Sequence, residues 1–209
     1  IEYCFRELGI RDFAFNDDAH LVDAESHIHV LLDEVLRRGL ACRFHTPNGL
    51  HARYIDRALA AKMYQAGFTT IRLGLETADA HEQRRTGSKV NNDDFRAAVH
   101  NLRAAGFGAR QIIAYLLMGL PGQPAGEVMD SVDFAHECGA LVQITLYSLI
   151  PGTAEWERAV RQGHIDARAD PLLHNDSLYP FPWSPASLED FERAKARATA
   201  GNHALAASS

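Results

Sequence analysis

Residues that can bind or orient a small ligand follow each of five short apolar segments in the sequence. Carboxylates can hold a ribose diol or an ammonium group, and glycines let the backbone approach an adenine or a carboxylate closely. If the five segment ends meet, they form a site suited to a polar, hydroxyl-rich and partly cationic ligand. In chain order, the ends carry Asn16-Asp17-Asp18, Thr46-Pro47-Asn48-Gly49, Glu76-Thr77, Gly119-Leu120-Pro121-Gly122 and Ser148-Leu149-Ile150-Pro151-Gly152-Thr153.

Each of these groups also has an ordinary structural interpretation. The Asp17-Asp18 pair could cap a helix or form an Asx turn, and Asn48-Gly49 is a common turn dipeptide. Glu76 could simply be solvated, and the Gly119–Gly122 stretch could be a strand-to-helix turn. The argument for a site therefore rests on the whole set, because five independent segment ends carry such residues.

Positioning these residues together requires a sheet of parallel strands. Short β-rich runs alternate with amphipathic stretches, which predicts parallel strands joined by right-handed crossovers. Either an open doubly wound sheet or part of a (β/α) barrel has this pattern, and both bind ligands at the carboxyl ends of the strands. The predicted strands are 10–15, 41–45, 69–75, 111–117 and 141–147; the predicted helices between and after them are 23–38, 55–66, 93–105, 128–138 and 155–161.

The composition is that of a globular protein. Of 209 residues, 46% are hydrophobic and 23% are charged, which excludes a disordered or fibrous chain. No apolar run approaches the roughly 18 residues of a membrane-spanning helix, so no membrane partner is predicted. The net charge of −6 argues against an overall electrostatic grip on nucleic acid. Prolines interrupt the pattern after residue 163, which predicts a barrel domain over 1–163 and a C-terminal extension over 164–209.

Other kinds of catalytic site find little support in the sequence. The three cysteines, Cys4, Cys42 and Cys138, match no zinc or cluster spacing and indicate free thiols in a reducing, cytoplasmic compartment. His45 and His51 flank the Asn48 turn, but no third ligand has a suitable spacing, so no metal site is predicted. The sequence has no phosphate-binding Gly-x-x-x-x-Gly-Lys-Ser/Thr loop and no serine nucleophile elbow.

The ordered set of motifs resembles the radical SAM enzymes, most closely the branch whose members often carry an N-terminal cobalamin-binding domain. The likeness covers about residues 1–160. The motifs that carry it are Phe15 to Asp18, Asn48-Gly49-Leu50, Leu73 to Thr77, Gly87-Ser88-Lys89, Tyr115 to Gly122 and Tyr147 to Thr153.

This resemblance implies an α/β fold, namely a partial (β/α) barrel with helices outside. With the about five parallel strands counted above, the first strand unit of the family is missing. The sequence pattern itself predicts a C-terminal helical or irregular tail, in which Ser187-Leu188-Glu189-Asp190 is typical of a capping box that begins a last helix to about residue 200. It implies S-adenosylmethionine in the barrel mouth and a 4Fe–4S cluster held by three cysteines of a CxxxCxxC loop. One electron from the cluster, supplied by a donor such as flavodoxin or ferredoxin, would cleave the sulfonium. The resulting 5′-deoxyadenosyl radical would abstract hydrogen from a small-molecule or macromolecular substrate. Cobalamin in an upstream domain is a further expectation.

Position by position, the resemblance implies cofactor-binding roles at the strand ends. The family often places a Gly-Gly-Glu motif for the methionine ammonium where this chain has Asp17 and Asp18. Glu76 would lie near the ribose or the amino-acid end. The residues to which the resemblance gives such roles are Asp17, Asp18, Asn48, Glu76, Gly119, Leu146 and Tyr147.

Two further residues are candidate substrate contacts. His45 has a favourable position at the end of its strand. Arg72 points to the face opposite Leu73, where it could meet a carboxylate, although an ion pair on the barrel exterior is the alternative. Phe181 and Trp183 could cover the barrel bottom or a partner domain. No catalytic residue is assigned.

The sequence departs from the family in one respect. It contains no CxxxCxxC loop, and the strand count lacks the βα unit that carries that loop. We therefore expect a fragment of a longer chain, which the helix-like start at Ile1 favours, or a degenerate homologue. By itself the chain is expected to be inactive. The alternatives are a non-catalytic binding or scaffold module with this fold and an unrelated barrel lyase that uses a lysine Schiff base, disfavoured because Lys62 and Lys89 do not end a strand.

Overall fold

The computed structural model describes residues 1–17, 19–87, 89–168, 170 and 183–208. Its sheet has five strands, all parallel, in the spatial order β1-β2-β3-β4-β5. Because neighbours in space follow the order in sequence, the sheet has the topology of a (β/α) barrel and lacks the order reversal of a doubly wound sheet. The strands are β1 (Asp12–Ala14), β2 (Arg43–His45), β3 (Phe68–Glu76), β4 (Ile112–Met118) and β5 (Leu141–Leu146).

One short helix precedes the first strand, and the other helices connect the strands or follow the last one. Three of them end at glycines in the left-handed region, Gly67, Gly106 and Gly139, as the sequence predicts. The α-helices are α1 (Glu2–Arg6), α2 (Ile28–Arg37), α3 (Arg57–Ala66), α4 (Ala80–Arg85), α5 (Asn92–Ala105), α6 (Ala125–Cys138), α7 (Ala154–Arg161) and α8 (Leu188–Ala207).

The two faces of the sheet differ in polarity. On β3, Ile71, Leu73 and Leu75 are fully buried and belong to the main core with residues of α2, α3, α5 and α6. The alternating residues Arg72 and Gly74 are only partly buried and lie on the opposite face. The outer face of the sheet therefore carries the hydrophobic core, and the inner face encloses a hollow.

The predicted α/β architecture, with five parallel strands, helices outside and a C-terminal helix, is confirmed. Several boundaries differ. The helix predicted over 23–38 begins only at Ile28, because 19–27 form turns that start where the Asp17 carboxylate accepts the Ala19 N–H. Helix α4 was not predicted, since it is short and has no apolar stripe. None of the described helices is long and apolar enough to cross a membrane.

Candidate functional site

An open cavity of about 560 Å³ lies at the carboxyl ends of β2 to β5. Its volume is in the range of small-molecule binding sites. The polar side chains and glycines that line it are Asn48, Gly49, His51, Gly74, Glu76, Lys89, Tyr115, Gln143 and Thr145. Two of the seven residues predicted to bind a cofactor, Asn48 and Glu76, thus line a common cavity.

Gly74 and Gly49 explain how the hollow stays open beside a tightly packed wall. A Cβ atom added to Gly74 would meet no heavy atom within 4 Å, so the missing side chain leaves open space. A Cβ on Gly49 would lie 2.9 Å from the Gly74 nitrogen, so only glycine lets this loop lie against β3. The loop is fixed there because the Leu50 N–H donates to the Arg72 carbonyl at 2.7 Å.

Glu76 occupies a strained turn at the end of β3. The Thr77 N–H donates to the Leu75 carbonyl at 2.7 Å, and Glu76 between them has φ +64°. A three-residue turn with a positive φ at its centre is rare for a residue with a side chain. Such strain concentrates at functional sites. Here it ends the strand abruptly and leaves the Glu76 side chain at the cavity wall.

A buried polar network lies behind this turn and was not foreseen from the sequence. The Thr77 hydroxyl donates to Glu127 Oε1 at 2.7 Å, and Gln123 Nε2 donates to the same oxygen at 3.2 Å. Gln123 Oε1 accepts the N–H of Gly119 at 3.0 Å. Glu127 in the first turn of α6 and Gln123, two residues before the helix, therefore tie the loop after β3 to the loop after β4.

The residues at the ends of β4 and β5 that were predicted to bind a cofactor, Gly119, Leu146 and Tyr147, do not line the cavity and contact other parts of the protein. The Gly119 carbonyl accepts Trp183 Nε1 at 3.0 Å, so Trp183 lies at the mouth side of the sheet and the expectation that it covers the barrel bottom is wrong. Phe181 lies outside the described residues. Leu146 packs against Met118 and the cluster around it.

Tyr147 also faces an apolar cluster. Its ring packs with Leu149, Trp156 and Ala159, and burial raises the pKa of its phenol. Its backbone N–H donates to the Met118 carbonyl at 2.8 Å. Cofactor-binding roles for Gly119, Leu146 and Tyr147 stay predictions.

The loop after β1 also stands apart from the cavity. Asp17 is exposed, and its Oδ1 accepts the Ala19 N–H at 2.8 Å, which is the turn-forming arrangement that the sequence left open. Asp18 falls outside the described residues. Asn48 connects this loop to the cavity wall, because its Nδ2 donates to the Asn16 carbonyl at 2.9 Å.

Arg72 and His45 both lie on the inner face of the sheet. The Arg72 guanidinium carbon is 5.9 Å from the centre of the Tyr115 ring, which lines the cavity, so the alternative of an exterior ion pair is wrong. His45 Nδ1 is 3.1 Å from the Thr70 hydroxyl, and Nε2 is 3.3 Å from Asp12 Oδ1. Hydrogen bonds from Arg43 and His45 lower the pKa of Asp12 to about 2. The His45 ring is thus held between Thr70 of β3 and Asp12 of β1.

The cysteines do not form a metal centre. Cys4 lies in α1, Cys42 precedes β2, and Cys138 ends α6. Burial raises the pKa of the Cys42 and Cys138 thiols, which disfavours the thiolate that a metal requires. Within the described ranges, no group of three His, Cys, Asp or Glu side chains is placed to hold a metal ion.

Comparison with known proteins agrees with this fold. The family model of the Radical SAM superfamily matches residues 15–135, and no curated protein matches the chain significantly in sequence. The radical S-adenosylmethionine methyltransferase TsrM from Kitasatospora setae, solved with cobalamin and a [4Fe-4S] cluster, is 18% identical with a TM-score of 0.67, over 94% of this chain and 44% of that chain.

Two further structures are similar. TsrM with tryptophan substrate and a SAM analogue is 18% identical with a TM-score of 0.67, over 96% of this chain and 45% of that one. Coproporphyrinogen III oxidase HemN from Escherichia coli, a radical SAM enzyme, is 16% identical with a TM-score of 0.55. The match covers 83% of this chain and 36% of that chain. The chain spans less than half the length of these proteins. Since the family model covers more than half of the sequence, the chain belongs to the radical SAM superfamily.

Proposed function

We propose that the chain is part of a radical SAM enzyme and binds S-adenosylmethionine in the cavity at the ends of β2 to β5. Membership of the superfamily implies S-adenosylmethionine and a 4Fe–4S cluster. The observation that carries the proposal is the open space left by Gly74 beside the Glu76 carboxylate, in a cavity of about 560 Å³. Because the chain belongs to this superfamily, we no longer consider the alternative of an unrelated barrel lyase.

The residues present fit such a ligand. Glu76 makes no ion pair with any described residue, so its carboxylate is available to a ribose diol or to the methionine ammonium. Gln143 and Thr145 add hydrogen-bonding groups on the β5 side, and Leu117 adds an apolar surface. The role of the chain is to bind the sulfonium compound, orient it and exclude water.

The residues present do not fit the iron–sulfur cluster. When bound, the cluster supplies the electron that cleaves the sulfonium. The three cysteines lie in α1, before β2 and at the end of α6, so they cannot ligate one cluster. We propose that the chain is inactive by itself and that a longer cytoplasmic polypeptide supplies the cluster ligands, with flavodoxin or ferredoxin as electron donor. A cobalamin-binding domain in that polypeptide is part of the proposal, since TsrM was solved with cobalamin.

Binding of S-adenosylmethionine to the Glu76→Gln variant tests the proposal. A lost charge-assisted hydrogen bond is worth about 1.5–3 kcal/mol, so the dissociation constant measured by calorimetry should rise about tenfold or more. Glu192→Gln, on the exposed side of α8, is the matched control and should bind like the wild type. Equal affinities for Glu76→Gln and the control would refute a role for this carboxylate.

A non-catalytic module that binds S-adenosylmethionine is the second candidate, favoured by the separation of the three cysteines. Anaerobic iron–sulfide reconstitution of the longer polypeptide distinguishes the two. An enzyme should develop the absorbance of a 4Fe–4S cluster, whereas a binding module should bind the sulfonium compound and no iron.

A further inference from the structure

Gln143 lies in the middle of β5 and lines the cavity without a side-chain partner. It is the one exposed residue of this strand, whose other residues are buried or partly buried. None of the hydrogen bonds between described residues involves its side-chain amide. The cavity therefore holds a primary amide, with two donors and an acceptor, that the described part of the protein does not use.

Two other neutral polar side chains of the lining hold the wall of the cavity in place. The Tyr115 hydroxyl donates to the Pro47 carbonyl at 2.9 Å, and Asn48 Nδ2 donates to the Asn16 carbonyl at 2.9 Å. Gln143 makes no bond of this kind, so its amide is available to a ligand.

The register of the strands fixes the depth of Gln143 in the hollow. Gly74 of β3 pairs with Tyr115 of β4, and Tyr115 pairs with Gln143 of β5, so the three form one layer across the inner face. Glu76, the carboxylate proposed to bind S-adenosylmethionine, follows Gly74 by two residues, which is about 6.6 Å along a strand. Gln143 thus lies one layer below the strand ends.

Packing does not account for a glutamine in this layer. The inner positions of a (β/α) barrel are normally filled by bulky branched side chains, and the layer beneath has Ile113 paired with Leu141. In the layer of Gln143, a Cβ atom added to Gly74 would meet no heavy atom within 4 Å. The layer therefore keeps open space in which a ligand group can contact the glutamine.

The chemistry of the layer selects the kind of group that fits. A glutamine amide recognises a donor beside an acceptor, because its oxygen and nitrogen then form two parallel hydrogen bonds. A carboxamide or a lactam has this arrangement and is planar, so it can also pack on the Tyr115 ring and on Leu117. The side chains of this layer carry no charge that would neutralise a buried ion, so an uncharged group is favoured.

We infer that Gln143 is a specificity-determining residue that binds an uncharged amide group of the substrate, one layer beneath S-adenosylmethionine. The inference rests on the proposed function, which places S-adenosylmethionine at the level of Glu76. Because of its depth, the hydrogen-bonding group that Gln143 adds to the cavity serves this second ligand.

Benzamide is the probe for this subsite, and its cationic analogue benzamidine reports the preference for charge. Each is titrated into the ¹⁵N-labelled 209-residue chain, and the shift of the Gly74 backbone N–H signal gives the dissociation constant. In Gln143→Glu the affinity for benzamidine relative to benzamide should rise about tenfold or more, because a charge-assisted pair replaces a neutral one. Gln162→Glu, at an exposed glutamine after α7, adds the same charge outside the cavity and should leave this ratio unchanged.

An unchanged ratio in a folded Gln143→Glu protein, or no binding of benzamide by the wild type, would overturn the inference. If Gln143→Glu fails to fold, Gln143→Met decides, since it keeps the length of the side chain and should bind benzamide about tenfold more weakly. If neither variant folds, the side-chain N–H₂ signal of wild-type Gln143 decides, because it should shift when benzamide binds.

Repeating the titrations at saturating S-adenosylmethionine separates the inference from the proposed function. Retained benzamide binding supports a second ligand. Displacement of benzamide, together with weaker S-adenosylmethionine binding by Gln143→Met, would show that Gln143 binds the adenine base and would overturn the inference. Failure of S-adenosylmethionine to bind, with the expected ratio in Gln143→Glu, would refute the proposed function and leave the amide subsite.

Discussion

The Tyr115 hydroxyl donates a hydrogen bond of 2.9 Å to the Pro47 carbonyl and so joins the middle of β4 to the loop after β2. Both residues line the cavity. Tyr115→Phe removes the donor and keeps the ring, so the free energy of unfolding should fall by about 1 kcal/mol. S-adenosylmethionine should also bind more weakly, because the Asn48 loop loses its anchor. Urea unfolding and calorimetry measure the two effects; unchanged affinity would show that this bond does not position the loop.

The Thr77 hydroxyl positions the Glu76 turn through Glu127. Thr77 is buried, donates to Glu127 Oε1 at 2.7 Å and accepts the Asp79 N–H at 3.0 Å. Thr77→Val keeps the shape and leaves these groups unpaired, so stability should fall by about 1–3 kcal/mol. Thr77→Ser keeps the hydroxyl and should restore the affinity for S-adenosylmethionine. Wild-type affinity in a folded Thr77→Val protein would contradict a positioning role.

Asn202 of α8 completes the open edge of β5. Its Oδ1 accepts the Val142 N–H at 2.7 Å, and its Nδ2 donates to the Val142 carbonyl at 2.8 Å. This side chain therefore covers backbone groups that an unpaired strand edge would expose. Asn202→Ala should lower the free energy of unfolding by about 2 kcal/mol, seen as a lower urea midpoint at constant slope. Asn101→Ala, which loses one bond to Ile55, should cost less; the reverse order would contradict this assignment.

His20 should make the stability fall in mild acid. Its ring is buried against Phe15, and burial, with the nearby His27, lowers its pKa below the ordinary 6.5, although Asp17 opposes the shift. The unfolded chain therefore binds a proton near pH 6.5 while the folded chain does not. The contribution of the neutral His20 ring to the free energy of unfolding is fully present above this pH. It is lost progressively as the pH drops from there towards the pKa of His20 in the folded protein.

His20→Phe removes this titration and keeps an aromatic ring at the site. Its melting temperature should therefore change less between pH 7.5 and pH 5.5 than that of the wild type, as thermal denaturation at the two pH values would show. Parallel changes in the two proteins would contradict the assignment. The exposed carboxylates Asp12 and Glu34, whose pKa values arginine hydrogen bonds lower to about 2, lose their contribution only at lower pH.

The order of the strands and most helices could be predicted because local patterns and tertiary packing agree. Alternating burial on β3 and the glycines after α3, α5 and α6 give the same elements from sequence and structure. Helix α4 escaped prediction because its residues form no apolar face; only the Asp79 cap signals it.

The site was predictable only in part, because a residue after a strand end can turn towards the cavity or away from it. Asn48 and Glu76 turn inwards, whereas Leu146 and Tyr147 join apolar clusters. Glu127 was missed because a charged residue near the start of a helix usually faces solvent. Its spacing of four from Ser131, which places the two residues on one side of α6, was the available signal.

Filling the cavity from Gly74 tests the central claim most directly. Gly74→Val places a branched side chain in the space where an added Cβ meets no atom, on a strand that favours valine. Gly126→Val, at an exposed glycine of α6 with equally open surroundings, is the matched control. Calorimetric titration with S-adenosylmethionine should show binding to the wild type and to Gly126→Val, and none to a folded Gly74→Val protein. Undiminished binding by Gly74→Val would show that the ligand lies elsewhere.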